Sequence, residues 1–233
     1  MGFLQHFFNK VFKDDTYAFG CSSFERVPSK DLENHLSVAQ YGNFELTEAV
    51  RPSFDLKVVP QNGYRHDYYR DTMCNKSIPV LMASVTRDLL FDTFLELLNP
   101  LGDAVDVVLE SSHDKTGRGH DDLYREHIDL PVLKSNLYHF EDLLLNDGCL
   151  GVAVLNPSIP VEVQFDEHKL LIVYGDNLKP FERILERQGI TRNENIRFIT
   201  EAEHVHSSNG SYIDQFHSLQ TLLGIDSPYF SYI

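Results

Sequence analysis

The chain of 233 residues is short of positive charge, of cysteine and of long apolar runs, and each shortage excludes something. Lysine and arginine number 20 against 35 aspartates and glutamates, a formal charge of −15 at pH 7. A surface that acidic repels phosphate backbones, so no nucleic-acid partner is expected. The three cysteines, Cys21, Cys74 and Cys149, are scattered and odd in number. Without a Cys-x-x-Cys pair neither a zinc knuckle nor a dithiol redox centre is indicated, and unpaired thiols suit a reducing, cytoplasmic location. No apolar run approaches the roughly eighteen residues that a membrane-crossing helix needs. Catalytic signatures are missing too. There is no Gly-x-Ser-x-Gly elbow, no Walker loop and no Gly-x-Gly-x-x-Gly after a strand.

What is present is ordinary globular material, 42% hydrophobic and 24% charged, in a chain long enough to bury a sizeable core. Its organising stretch is 78–112. An apolar run at 80–85 meets Thr86, a candidate N-cap. Leu89, Leu90, Phe91, Phe94, Leu95, Leu97 and Leu98 then cover more than half of a helical circumference, which predicts a buried helix. Pro100 and Gly102 stop it, and a second β-rich run follows at 105–109. Strand, helix and strand within about thirty residues predict a βαβ unit at 78–110 with its strands parallel.

Further on, Asp129, Leu130 and Pro131 signal a helix start. Leu133, Leu137, Phe140 and Leu144 carry its apolar face, and Asp147-Gly148 ends it. Residues 150–155 read as an apolar strand. Val161, Val163 and Phe165 alternate with Glu162, Gln164 and Asp166, and an apolar run returns at 170–174. That pair predicts a hairpin at 161–174. Helices are expected after Asn177 and around Phe216, and a short strand at 195–199. The fold class is α+β, or mixed α/β: a mixed sheet with flanking helices.

Residues 1–77 read as an N-terminal helix and an irregular arm packing on the main fold, 78–226 as the core, and 227–233 as an aromatic tail. Phe3, Leu4, Phe7, Phe8, Val11 and Phe12 repeat with helical period. Docking on the same chain or a second subunit is favoured for this segment. Membrane contact through 1–13 is disfavoured by Asp14 and Asp15. Within the arm, 31–40 suggests a helix and 53–59 a half-buried strand. The Tyr/Arg/Asp-rich stretch from Gly63 to Ser77 lacks a clean period and is expected to lie over the surface. Its Tyr64, Arg65, His66, Tyr68, Tyr69 and Arg70 resemble a recognition surface.

Two stretches could carry chemistry. The first, 110–127, follows the carboxyl end of a predicted strand and reads as a loop. There His113, Asp114, His120 and Asp122 offer imidazole and carboxylate ligands for a divalent metal, with Glu110 as a base. The second is Glu201-Ala202-Glu203-His204-Val205-His206. On a strand both rings would share one side; the reading favoured is the polar start of the last helix. Cys149 reads as core rather than as a nucleophile. The leading functional expectation is a cytosolic, non-catalytic binding or accessory protein with a protein partner or self-association and no organic cofactor. The alternative is a metal-dependent hydrolase with its site in the 110–127 loop.

Overall fold

A computed structural model describes residues 22–71, 76–113 and 121–225. The N-terminal helix expected at 3–12, the aromatic tail, Asp114 and His120 lie outside the described residues. The fold is α+β. After helix α1 (Ser29–Leu36) come three short strands, β1 (Gln40–Tyr41), β2 (Phe44–Glu45) and β3 (Val50–Pro52). The hairpin β4 (Gly63–Asp71) and β5 (Lys76–Ser84) leads to helix α2 (Arg87–Leu97). A second hairpin, β6 (Ala104–Ser111) and β7 (Asp121–Asp129), runs into α3 (Leu130–His139) and α4 (Glu141–Asn146). Strands β8 (Leu150–Asn156), β9 (Val161–Phe165) and β10 (Leu170–Gly175) form a meander. Helix α5 (Lys179–Arg187), strand β11 (His204–His206) and helix α6 (Gly210–Leu222) complete the described fold.

Seven strands form one sheet in the order β4-β5-β10-β9-β8-β6-β7. Every pairing is antiparallel. The strand-helix-strand at 78–110 is present, and its two strands run in the same direction. They are not neighbours, however, and the sheet is not mixed, because the meander from later in the chain inserts all three of its strands between them. The expected hairpin at 161–174 is formed by β9 and β10, with Phe165 opposite Leu171 and Val161 opposite Gly175.

Alternation sorts the sheet into two faces. Val105, Val107, Leu109, Val152, Val154, Val163, Phe165, Leu171 and Val173 face the helices and join Phe94, Leu97, Leu133, Leu143 and Leu219 in the main core. Helix α2 packs beside α4 and α5. Thr86 occupies its N-cap position, but the Thr86 hydroxyl accepts from the Glu45 amide at 2.8 Å rather than capping the helix. The other face carries a smaller cluster of Val80, Leu170, Ile172, Tyr174, Ile196 and Phe198. Among the described residues no helix is long and apolar enough to cross a membrane.

Several local expectations are corrected. Residues 63–71 are not a surface arm but the edge strand of the main sheet, which carries the core fold across the boundary expected at 77. Residues 53–59 form turns rather than a strand: Leu56 adopts a positive φ of 49° and is exposed, although Val58 of the same alternating set is buried. Residues 195–199 are likewise not a strand. Asn193 starts a turn there and accepts from the Ile196 amide. The single helix expected from 130 to 146 breaks at Phe140, whose φ of −121° leaves the helical region.

Candidate metal centre

The end of the sheet where β6 and β9 finish and β8 and β10 begin gathers residues that lie far apart in the chain. A two-stranded ribbon crosses this end: β11 pairs antiparallel with β3, with His206 opposite Val50 and His204 opposite Pro52. The Gly148 amide donates to the Ser207 carbonyl at 2.8 Å, and the Ser207 amide donates to the Ala49 carbonyl at 2.7 Å. A Cβ at Gly148 would stand 2.4 Å from the Ala49 oxygen, so only glycine allows the segments to cross this closely.

His204-Val205-His206 is therefore strand, not a helix start. Its pairing with β3 decides the matter, and α6 begins later, capped by Asn209, whose Oδ1 accepts from the Ser211 amide. Alternation puts both imidazoles on one side, and His168 from the β9–β10 turn meets them there. Ring centroids stand 4.8 Å apart for His168 and His204, 4.7 Å for His168 and His206, and 5.1 Å for His204 and His206. The three offer ligand nitrogens that all lie within 4.8 Å of one another.

The hydrogen bonds set the tautomers. His168 Nδ1 lies 2.9 Å from Asp166 Oδ2, His204 Nδ1 2.9 Å from the Ala202 carbonyl, and His206 Nδ1 2.6 Å from the Gly148 carbonyl. Carbonyl and carboxylate oxygens only accept here, so each Nδ1 bears the hydrogen and each Nε2 the lone pair. Such anchoring of ligand imidazoles by an outer shell of oxygens is usual at metal sites. Burial, with His168 next, pulls the His206 pKa down to about 4, so this ring is neutral at physiological pH. Tetrahedral zinc with Zn–N near 2.0–2.1 Å needs nitrogens about 3.3 Å apart, so at most about 1.5 Å of closure is required. A small crevice, with room for about one water, borders His168, Ser84, Pro60 and Arg197; His204 and His206 do not line it.

A second group, His113, Asp147 and Cys149, meets the same 4.8 Å limit at this end of the sheet. The stretch expected to be a ligand loop is divided. Residues 121–129 are strand β7, not loop, and of the described candidate ligands His113 turns toward the helices, its ring 5.5 Å from Phe216 of α6. Glu110 and Asp122 are cross-strand partners on the opposite face of the sheet. They are not grouped with His113 as sharing one ion would require. Burial, followed by Asp122 and Glu162, pushes the Glu110 carboxyl up to about 9, which leaves it protonated at neutral pH and unfit as a base. Glu162 on the same face is pushed up to about 8 by burial, with the Gln164 side chain its counteracting neighbour.

The tyrosines and cations of β4 serve mostly internal contacts. The Tyr64 hydroxyl donates to Glu186 Oε1 at 3.3 Å, Arg65 donates to the Ile196 carbonyl and to Glu201, and His66 meets Glu182. Tyr68, 69% exposed, and Arg70 face outward. Comparison with protein-family models, curated proteins and solved structures finds no match for the chain.

Proposed function

We propose that this protein is a metal-dependent hydrolase whose ion, zinc or a neighbouring first-row divalent metal, is held by His168, His204 and His206. One observation carries the reading: three imidazoles from a hairpin turn and a ribbon, each with Nδ1 near an oxygen, bring one ring nitrogen apiece within 4.8 Å of one another. Three protein nitrogens are the set that in zinc enzymes leaves one position to water, whose pKa then falls to about 7. Asp166 supplies the carboxylate behind His168. The hydrolase expectation thus moves from the 110–127 loop to the ribbon end of the sheet.

The test uses the full chain without a polyhistidine tag. Metal content is measured by mass spectrometry, and hydrolysis is followed with p-nitrophenyl acetate and bis-p-nitrophenyl phosphate. His206→Ala and His204→Ala should each remove one equivalent of zinc together with the hydrolysis, and zinc should restore activity to the chelator-treated wild type. Zinc content unchanged in both variants overturns the centre. Zinc bound at these histidines without turnover of either substrate favours the second reading, a non-catalytic accessory protein, for which exposed Tyr68 on an edge strand offers a contact point.

A further inference from the structure

The end of β6 and the start of β8 lie side by side, with the Ser112 amide donating to the Cys149 carbonyl at 2.9 Å. This contact sets His113 against Asp147 and Cys149. His113 Nε2 stands 2.8 Å from Asp147 Oδ2, and both atoms are buried. At that distance an ion pair would be the ordinary expectation. Among the described residues neither atom meets full hydrogen-bonding geometry, although His113 and Ser208 both lie close enough to Asp147 to act on its carboxylate. Two buried donor atoms that sit this close are placed as ligands of a shared ion are placed, about 3.3 Å apart around tetrahedral zinc.

The remaining atoms of these side chains are already engaged. Asp147 Oδ1 accepts from the Cys149 amide at 3.1 Å, and the Ser208 side chain neighbours both the Asp147 carboxylate and the Cys149 thiol. His113 Nδ1 lies 2.8 Å from Ser111 Oγ, a partner able to accept its hydrogen and leave the lone pair on Nε2. The chain Ser111–His113–Asp147 has the order of a hydrolytic triad, but Ser111 is only 6% exposed and lies in the core-facing row of β6, where no substrate reaches it. Lys169 is the competing cation. It is buried, donates to the Leu150 carbonyl at 3.0 Å and feels both Asp147 and Cys149.

We propose that His113, Asp147 and Cys149 form a second metal site, for zinc or a similar thiophilic divalent ion, beside the three-histidine site. One nitrogen, one carboxylate oxygen and one sulfur are a zinc-type donor set, softer than three imidazoles. Binding replaces the Cys149 thiol proton with the ion and releases that proton to solvent. The two sites share a wall, Asp147-Gly148-Cys149: its side chains serve one site, and its central carbonyl holds His206 of the other. The proposal stands on contacts of its own and does not require the three-histidine reading.

Zinc stoichiometry by equilibrium dialysis and the spectrum of the cobalt-loaded full chain test it, with gel filtration and far-ultraviolet circular dichroism as controls for folding. The wild type should bind two equivalents and show thiolate-to-cobalt charge-transfer absorption in the near ultraviolet. Cys149→Ser should lose one equivalent and the band; Asp147→Asn should weaken zinc binding at this site at least tenfold while keeping the fold. His204→Ala should lose one equivalent and keep the band. X-ray absorption should find one sulfur at about 2.3 Å in the zinc shell of His204→Ala. One equivalent in the wild type, lost in His204→Ala and unchanged in Cys149→Ser with no band, overturns the second site and leaves the first. One equivalent that disappears with the band in Cys149→Ser supports the second site and overturns the first.

Discussion

Glu162 is completely buried in the middle of the sheet, and its carboxyl is pushed from 4.5 to about 8, chiefly by burial. Between those values the unfolded chain has released a proton that the folded chain retains. Folding therefore takes up a proton, and stability falls as pH rises through this window. The slope for one carboxyl is about 1.4 kcal/mol per pH unit, so at pH 7 the penalty relative to pH 4.5 is about 3 kcal/mol. Glu162→Gln keeps the shape and removes the titration. Urea denaturation at pH 5, 6, 7 and 8 should find variant and wild type within about 1 kcal/mol at pH 5, and the variant ahead by about 3 kcal/mol at pH 7. Below the unfolded-state value both side chains are neutral, so the difference should vanish there. A stability difference that stays flat with pH, or a variant weaker than wild type at pH 7, would refute the argument and point to a cation held by Glu162 in the native protein.

Two further substitutions test the frame around the sites. Leu95→Ala should cost about 2–5 kcal/mol, because Leu95 is only 5% exposed on the helix that covers the sheet; a denaturation midpoint unchanged from wild type would place that helix at the periphery. Gly148→Ala should cost about 1–3 kcal/mol or more, since its Cβ meets three backbone atoms of residues 49 and 207 that cannot swing aside, and it should weaken zinc binding at both centres in the same dialysis measurement. Full stability with unaltered zinc content would mean that the ribbon crosses more loosely than the 2.4 Å approach implies.

Much of the element content was legible because it rests on local period. The all-round apolar pattern from Leu89 to Leu98 is helix because only burial tolerates it, and the alternation Val161-Val163-Phe165 is strand because one face is wet in the pattern. That expectation still missed a point: Glu162 and Gln164 on the other face are buried too. Pairing was not legible. A strand-helix-strand pattern gives the direction of its strands but not how many others slip between them, and here three arrive from later in the chain. The edge strand β4 was hidden because its inward row includes Tyr64 and His66, side chains that do not register as apolar. The sites escaped for a related reason. His168 is a single histidine in a turn, Asp147-Gly148 resembles any helix stop, and β11 is three residues long, too short to show a period. The alternation within His204-Val205-His206 could be read, but the partner strand that makes it a strand lies some 150 residues earlier in the sequence.

The crossing of the ribbon over the sheet end has a consequence for the order of assembly. The proposed ligands come from residues 113, 147, 149, 168, 204 and 206, so neither centre is complete until contacts of long sequence separation are in place. Such contacts close late, because the entropy of the intervening loops must be lost first. His204 and His206 follow every strand of the large sheet in the chain, and their rings meet His168 only after the meander has formed and Gly148 has accepted the ribbon against it. Metal capture would then report that the sheet is finished. It would act as a latch on the completed fold, slowing its opening while leaving the earlier steps of folding at their own pace.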